Sequence, residues 1–411
     1  MARIEPFAGL RPRKDLASLV AAPPYDVLSS EEAREMAKGN PHSFLHIGKP
    51  EIDLPAGTDP YSDEVYARGK ENFLRFIGDG VLVPDRKRCF YVYRQIWGEH
   101  VQTGLVTGAS CRDYQDDIIK KHELTREDKE NDRMRHIEAL NAQTGPVFLT
   151  YKRRETIDRL VQQAVQKTPD YDFSTSDGVQ HIFYVVEETP LIQALQHEFS
   201  RLDALYVADG HHRSAAAARI KAKRERANPR HTGDEEYNFF LAVIFPHHQM
   251  KILPYNRVVK IRDDLDRAEL FLKISERFAY RETKDKVPKN PHQFCLYIEG
   301  QWYLLEAKRG SFSADPVESL DVSILQKNLL EPILGIKNPR TDKCIDFVGG
   351  IRGPSELEKK VDSGQFTLAF SLFATTIDQL FAVADTGKIM PPKSTWFEPK
   401  LKDGLVLHLL E

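Results

Sequence analysis

A short polar segment between an apolar run and an alanine-rich run constrains the fold of this chain most. Residues 202–208 are largely apolar and predict a buried strand. Residues 214–220 are rich in strong helix formers. The five residues between them, Asp209-Gly210-His211-His212-Arg213, therefore lie on a strand-to-helix turn. A chain built around such a turn combines α and β structure.

This turn also has the chemistry of an anion site. The start of a helix leaves backbone N–H groups unpaired and carries partial positive charge. Two imidazoles and a guanidinium beside those N–H groups suit a phosphate, which arginine can bind with two parallel hydrogen bonds. Under the alternative interpretation, Asp209 caps the helix and the histidines pack beneath it. Both interpretations stay open at this point.

Length and segment order predict a two-domain protein of mixed α/β class. A chain of 411 residues exceeds one ordinary domain. Strand-like and helix-like segments alternate along its whole length, which favours an α+β (mixed α/β) fold. The basic, poorly apolar stretch 221–236 predicts a soft boundary, giving domains at 1–235 and 236–411.

Charge and composition argue against several classes of partner. The net charge is −3, from 58 Lys and Arg against 61 Asp and Glu, so the chain lacks the basic excess of nucleic-acid binders. Apolar runs stay short of the ~18 residues of a membrane span, and the N-terminus lacks the pattern of a signal peptide. The four cysteines are widely spaced, without a CxxC pair. We expect a cytoplasmic protein with no nucleic-acid or membrane partner.

A proline-stiffened segment near the C-terminus carries a second group of polar side chains. Two prolines precede Lys393, Ser394 and Thr395, residue types that bind phosphates or hydroxyls. The spacing of a P-loop is absent. An ordinary proline turn is the alternative interpretation.

Residues 22–27 place Asp26 directly after Pro23-Pro24-Tyr25. An aspartate beside prolines often closes a turn. The functional alternative is a carboxylate that takes the proton of a substrate hydroxyl during phosphoryl transfer.

His122 and Glu123 begin a charged run but do not form a zinc-protease motif. Arg126 stands where the second histidine of His-Glu-x-x-His would be. Thr125 and Asp128 instead predict a capping box that opens a solvated helix. His122 and Glu123 could still reach a substrate from the loop before it.

Residues 207–213 resemble the signature of the ParB/sulfiredoxin-like superfamily, and the whole chain resembles its domain of unknown function 1015 family. Supporting segments are residues 22–27, 122–125 and 390–401. The resemblance implies a ParB/sulfiredoxin-like N-terminal core with large insertions. It also implies a second α/β domain that contributes the Pro-Pro-Lys-Ser-Thr loop.

The turn at Asp209–Arg213 and the segment 387–395 are also similar to those of the free serine kinases, which phosphorylate serine with ADP as donor. Ser394 stands here in place of a threonine, and Asp26 stands in place of a glutamate, which shortens the reach by one methylene. The resemblance implies a nucleotide-dependent phosphotransferase that uses ADP or ATP with Mg²⁺ on serine or phosphoserine.

The same resemblance implies roles for the binding residues. Gly210 would let the backbone approach the nucleotide phosphates, and His211, His212 and Arg213 would neutralise phosphoryl charge. Asp209 would help to hold Mg²⁺. The substrate would be bound by His122, Lys393, Ser394 and Thr395.

For catalysis, Asp26 would accept the hydroxyl proton, with Glu123 in reserve and His211 beside the transferring group. Two other functions stay open: a ParB-like regulator that binds nucleotide without small-molecule turnover, and a phosphatase that uses the same pocket with water. The sequence lacks the helix-turn-helix and basic patches typical of the regulator. A homodimer is an open alternative for the assembly.

Overall fold

The computed structural model describes residues 2–261 and 266–411. These residues form two compact units. The first comprises the chain up to Lys121, Thr125–Met250 and Pro399–Glu411, and the second comprises His122–Leu124 and Lys251–Glu398. The last residues of the chain therefore return to the first unit.

The strands of the described ranges are short to medium in length. In chain order they are β1 Ile4–Glu5, β2 Gly9–Pro12, β3 Leu82–Pro84, β4 Phe90–Trp97, β5 His100–Ser110, β6 Ile119–Lys120, β7 Ala142–Gln143, β8 Val147–Tyr151, β9 Tyr171–Ser174, β10 Val179–Val186, β11 Leu205–Asp209, β12 Phe239–Pro246, β13 Lys251–Leu253, β14 Tyr255–Val259, β15 Phe278–Thr283, β16 Gln293–Ile298, β17 Gln301–Ala307, β18 Ile345–Gly349, β19 Leu368–Leu372, β20 Trp396–Glu398 and β21 Leu407–Leu409.

The α-helices alternate with these strands. They are α1 Ala17–Val20, α2 Ser30–Ala37, α3 Leu45–Gly48, α4 Asp63–Gly78, α5 Cys111–Gln115, α6 Glu127–Leu140, α7 Glu155–Ala164, α8 Thr189–Phe199, α9 His211–Ala227, α10 Arg267–Arg277, α11 Asp321–Leu325, α12 Gly353–Asp362 and α13 Ile377–Asp385. A π-helical turn, Gln326–Leu330, continues α11.

The first unit is built on a mixed sheet with the order β6-β11-β8-β12-β5-β4-β10-β9, in which β1 also pairs with β5. Strand β8 runs parallel to β12 and antiparallel to β11. Strands of this sheet and the helices α7 and α8 share a buried apolar core, with members that include Phe90, Leu105, Leu149, Ile157, Leu195, Val207 and Ile244. This core fixes the end of β11, where the polar turn begins.

A second sheet of the first unit has the order β3-β2-β21-β7. The C-terminal strand β21 is central in it, because Leu407 pairs with Leu10 and Leu409 with Ala142. The segment that leads into β21 is therefore held inside the first unit.

The second unit contains an antiparallel sheet with the order β15-β17-β16-β19-β14-β18. Helix α12 contributes Leu357 to a buried cluster with Val258, Cys295 and Ala369 of this sheet. A separate antiparallel pair joins β13 to β20.

Several predictions from the sequence can be compared with these elements. The mixed α and β class is confirmed. The capping box at Thr125 and Asp128 is wrong, because α6 begins after Arg126 and has no side-chain cap. The compact units divide the chain at Met250–Lys251, because β12 is an inner strand of the first sheet, and the domain boundary after residue 235 stays a prediction.

Among the described helices, none is both long and apolar enough to cross a membrane.

Gly404 offers a test of how tightly the C-terminal segment is held. Its φ is +87°, and a Cβ atom there would lie 2.7 Å from Cγ of the fully buried Phe44. We expect Gly404→Ala to lower the free energy of unfolding by about 3 kcal/mol, from backbone strain and overpacking together. Urea unfolding measures this loss.

Gly39→Ala is the matched control. Gly39 has a φ of +76° but open space around its missing Cβ. Its loss should be about 1 kcal/mol, from backbone strain alone. Equal losses in the two variants would contradict the tight packing of Gly404 on Phe44.

Candidate functional site

The strand-to-helix turn is formed as the sequence predicts. Strand β11 ends at Asp209, and α9 begins at His211 after Gly210 as its N-cap. Gly210 has a φ of +96°, and a Cβ atom there would lie 3.1 Å from Nε of Arg213. No side chain caps the helix, so the capping role for Asp209 is wrong. In any α-helix, the N–H groups of the first turn have no acceptor within the helix itself.

The alanines of α9 bring this helix close to its neighbours. Ala216 and Ile220 share a buried cluster with Ile137 of α6 and with Leu410. Small side chains allow close helix packing, so the position of the turn is fixed from both sides of α9.

Asp209 is paired with a lysine from the C-terminal segment. Its Oδ2 accepts a hydrogen bond from Nζ of Lys400 at 2.8 Å. Burial favours the neutral acid, but the charges of Lys400 and Arg213 prevail and hold the pKa of Asp209 well below its usual range. Asp209 is therefore a carboxylate at neutral pH.

Arg213 is a half-buried cation among several carboxylates. Its Nη1 donates to the carbonyl oxygen of Pro146 at 2.5 Å, and its Nε is buried without a hydrogen-bond partner. Burial alone would lower the pKa of Arg213, but Asp26, Asp209 and Asp403 raise it. The guanidinium thus stays charged.

Asp403 is brought to Arg213 by backbone pairing. The N–H of Asp403 donates to the carbonyl of Ala22 at 2.8 Å, and the N–H of Ala22 donates back at 3.1 Å. This bridge joins the segment that carries Tyr25 and Asp26 to the C-terminal segment. A Cβ atom on Gly145 would lie 3.0 Å from Oδ1 of Asp403 and 3.3 Å from Nη1 of Arg213, so a glycine is needed beside this pair.

The carboxyl group of Asp403 is 5% exposed, and its Oδ1 has no hydrogen-bond partner. Burial raises the pKa of Asp403 to about 7, against the lowering effect of Arg213 and with the help of the Asp26 charge. Asp403 is therefore a proton-exchanging group near neutral pH.

The two histidines of the turn act as neutral rings. Burial lowers the pKa of His211 to about 4 although Asp209 raises it. Nε2 of His212 accepts the N–H of Arg126 at 3.1 Å, which places the proton of a neutral ring on Nδ1. For His211, the predicted neutralisation of phosphate charge would thus come from hydrogen bonding and not from a full positive charge.

A cavity of about 30 Å³ lies within the first unit beside Arg213. Its lining includes Tyr25, Arg133, Thr144 and Asp403. This volume corresponds to two or three water molecules. A whole nucleotide does not fit such a space.

Arg133 contributes a second cation to this cavity. It lies over the ring of Tyr25 at 3.7 Å and pairs with Asp132 at 2.7 Å, and both partners of that pair are largely buried. The charge run that contains them was expected to be solvated, and the structure corrects this expectation for Asp132 and Arg133.

The other predicted site residues lie in the second unit. The carbonyl of His122 accepts from the N–H of Met390 at 2.8 Å, and Nε2 of His122 lies 3.4 Å from Oγ1 of Thr395. Lys393 is exposed, has a φ of +58° and places Nζ 5.4 Å from the ring centre of Tyr255. The structure therefore gathers His122 with the proline-rich loop. Glu123 is half-buried in the same unit.

Ser394 is used inside its own loop. Its Oγ donates to the carbonyl of Pro391 at 2.7 Å, and its carbonyl accepts from Oγ1 of Thr375 at 2.9 Å. The buried Arg257 also supports this loop, because its Nη2 donates to the carbonyl of Lys393 at 3.0 Å. These bonds give the loop a fixed shape.

Several residues of the first-unit site cannot be identified from sequence patterns alone. Lys400 lies inside the segment 390–401 that was noted for its resemblance, and the Asp-Gly pair at 403 is a turn signal. Gly145 gave no signal of its own, because the need for a glycine there comes from residues distant in the chain.

The side chains available as metal ligands suit Mg²⁺ only if phosphate oxygens bind the ion as well. Within the described ranges, no cluster of three or more His, Cys, Asp or Glu could hold a metal ion. Mg²⁺ commonly binds through one or two carboxylates together with substrate phosphates. Asp209, which already accepts from Lys400, fits a site of that limited kind.

The family described as protein of unknown function (DUF1015) matches residues 4–323. This chain belongs to that family. No curated protein matches the chain.

Solved structures show only a distant likeness. A free serine kinase in complex with AMP has a TM-score of 0.35 at 13% identity, over 70% of this chain and 89% of that chain. A conserved hypothetical protein from Pyrococcus furiosus has 0.34 at 14% identity, over 70% and 91%. SbnI with a C-terminal truncation from Staphylococcus aureus has 0.37 at 10% identity, over 71% and 82%. At these TM-scores the likeness carries no argument about this chain.

Lys400→Met tests the pair with Asp209. At pH 7 we expect the free energy of unfolding to fall by about 2 kcal/mol, because a partly buried carboxylate loses its cation. The pKa of Asp209 is lowered in the folded state, so the stabilisation is fully present above its unfolded pKa of about 3.9 and is lost progressively as pH falls from there through the folded pKa. The gap between wild type and variant should narrow from pH 5 to pH 3 in urea unfolding.

The double variant Asp209→Asn, Lys400→Met is the control for this pair. It removes both charges, so it should recover part of the lost stability. A double variant less stable than Lys400→Met would contradict the pairing.

Proposed function

We propose that this protein is a nucleotide-dependent phosphotransferase that acts on a small hydroxyl substrate, with serine or phosphoserine and ADP or ATP as the favoured pair. The observation that carries the proposal is the left-handed Gly210 turn at the start of the 17-residue helix α9. It sets the backbone of the first helical turn, two imidazoles and the half-buried Arg213 in one place. Such an arrangement suits the oxygens of a phosphate.

The position of Asp26 supports a transfer reaction. Asp26 is exposed and acts electrostatically on Arg213. A carboxylate near a phosphate site can accept the proton of an attacking hydroxyl. With ADP as donor, the serine oxygen would bond to the β-phosphorus while the bond from that phosphorus to the bridging oxygen breaks. AMP would leave, and the hydroxyl proton would pass to Asp26.

The remaining residues have supporting roles in this proposal. The neutral ring of His211 would donate or accept a hydrogen bond beside the transferring group, and His122, Lys393 and Thr395 would bind the acceptor. Glu123 stays in reserve as a base, and Ser394 would act mainly through the shape of its loop. Mg²⁺, bound with the nucleotide through Asp209, would screen the negative charge of the phosphates.

Nucleotide binding is the first test. Isothermal titration with ADP, ATP and CTP should give binding in wild type, and an assay with serine should then give AMP from ADP or ADP from ATP. Arg213→Lys should lower nucleotide affinity roughly tenfold or more, because lysine cannot make the two-pronged contact. Lysine is chosen over alanine because it leaves a counter-charge for the buried acids.

Arg219→Lys on the same helix is the matched control. Arg219 pairs with Glu130 on the surface at 2.9 Å, so its exchange should leave affinity unchanged. Tight CTP binding without turnover would favour the regulator. Phosphate release in the absence of serine would favour the phosphatase. Absence of binding by all three nucleotides would end the proposal.

Asp26→Asn tests the base. We expect ADP affinity to stay the same and kcat to fall ~10²-fold, the usual cost of a lost general base. Asp203→Asn removes another exposed carboxylate of the first unit and should leave kcat unchanged. Full turnover in the Asp26 variant would show that another group takes the proton.

A further inference from the structure

The charges around Arg213 pose a problem for any anionic ligand. Asp26, Asp209 and Asp403 all act on this guanidinium. A phosphate at Arg213 would add negative charge where the positive charge is already matched. Like charges repel strongly where water is excluded. Protonation of one of these carboxylates would relieve the repulsion when the ligand binds.

For two of the three carboxylates, the negative charge is offset without Arg213. Asp209 is paired with Lys400 at 2.8 Å. Asp26 is exposed, so water and salt screen its charge. Asp403 has neither a lysine partner nor solvent screening, because it is buried and its Oδ1 lacks a hydrogen-bond partner. Asp403 is thus the carboxylate that competes with an anion for Arg213.

We propose that binding of a phosphate-bearing ligand at Arg213 is coupled to the uptake of one proton from solvent by the carboxyl group of Asp403. This inference rests on the proposed function, since it requires that the ligand is bound at Arg213. It assigns Asp403 a role as a positioning residue that releases Arg213 for the ligand.

The groups that face Asp403 leave it as the one that changes charge. Arg213, Arg133, Asp26 and Asp209 all act on its carboxyl group. Arg213 stays charged because the surrounding acids raise its pKa against burial. Asp209 stays ionised because Lys400 and Arg213 lower its pKa. Arg133 forms a salt bridge with Asp132.

Two further titratable groups line the same cavity. Burial lowers the pKa of His136 to about 4, so this ring is neutral at pH 7. Burial raises the pKa of Tyr25 above its usual value, so its phenol also stays neutral. Among these described groups, Asp403 combines burial beside Arg213 with a pKa of about 7.

If Asp403 takes up a proton on binding, ligand affinity should fall as pH rises. A ligand that takes over Arg213 removes the charge that favours ionised Asp403, so the pKa of Asp403 rises further. At pH 8 uptake should approach one proton per ligand, and at pH 5 it should be near zero because Asp403 is already protonated. Affinity should then fall by up to about tenfold per pH unit above pH 7.

Isothermal titration of the full chain with ADP at pH 8, in buffers that differ in ionisation enthalpy, counts the protons taken up. Wild type should take up about one proton per ADP, and Asp403→Asn should take up about none and bind about tenfold more tightly. The proton changes of ADP itself are common to both proteins and cancel in the comparison. ATP and CTP are titrated in the same way.

Asp113→Asn is the matched control. Asp113 is a buried aspartate of α5 whose pKa is also raised by burial, and it is not among the residues that line the cavity. This variant should behave as wild type. If Asp403→Asn does not fold, infrared difference spectra of wild type should still show a protonated carboxyl band that appears on ADP binding at pH 8.

Binding without proton uptake, uptake that persists in Asp403→Asn, or absence of the carboxyl band overturns this inference and leaves the proposed function standing. Absence of binding by ADP, ATP and CTP overturns both.

Discussion

The charge of one half-buried arginine organises the first-unit site. A guanidinium that is partly removed from water needs counter-charge, and Arg213 obtains it from carboxylates on three separate parts of the chain. Asp209 comes from the end of β11, Asp26 from the N-terminal proline segment and Asp403 from the C-terminal segment. The need to compensate Arg213 is thus a physical reason for these distant segments to meet.

The same arrangement of charges allows the site to respond to a bound ligand. An arginine that is fully satisfied by fixed acids would be a structural element and nothing more. Here the charge of Asp209 is shared with Lys400, and the charge of Asp26 is exposed to solvent. Asp403 alone of the three is both buried and poised to exchange a proton near neutral pH. Structural support and ligand response therefore rest on the same few charges.

The local pattern of the sequence predicted the turn at Gly210 because strand, turn and helix signals follow each other directly there. It could not predict Lys400 or Asp403 as neighbours of Asp209 and Arg213, because those contacts join residues that are about 190 positions apart in the chain. It misjudged Asp132 and Arg133 because a charged run on a helix usually faces water, whereas this pair lines a cavity.

The return of Pro399–Glu411 to the first unit has a consequence for how the protein is made. Domains generally fold as units while the N-terminal part leaves the ribosome first. The first unit cannot be completed on that schedule, because its sheet lacks β21 and its arginine lacks Asp403 until residues 399–411 have been synthesised. The second unit, although it begins later, has all of its strands earlier. A chain that ends before residue 399 therefore lacks the compensation of Arg213 by Asp403 and also lacks β21, the strand that lies between β2 and β7.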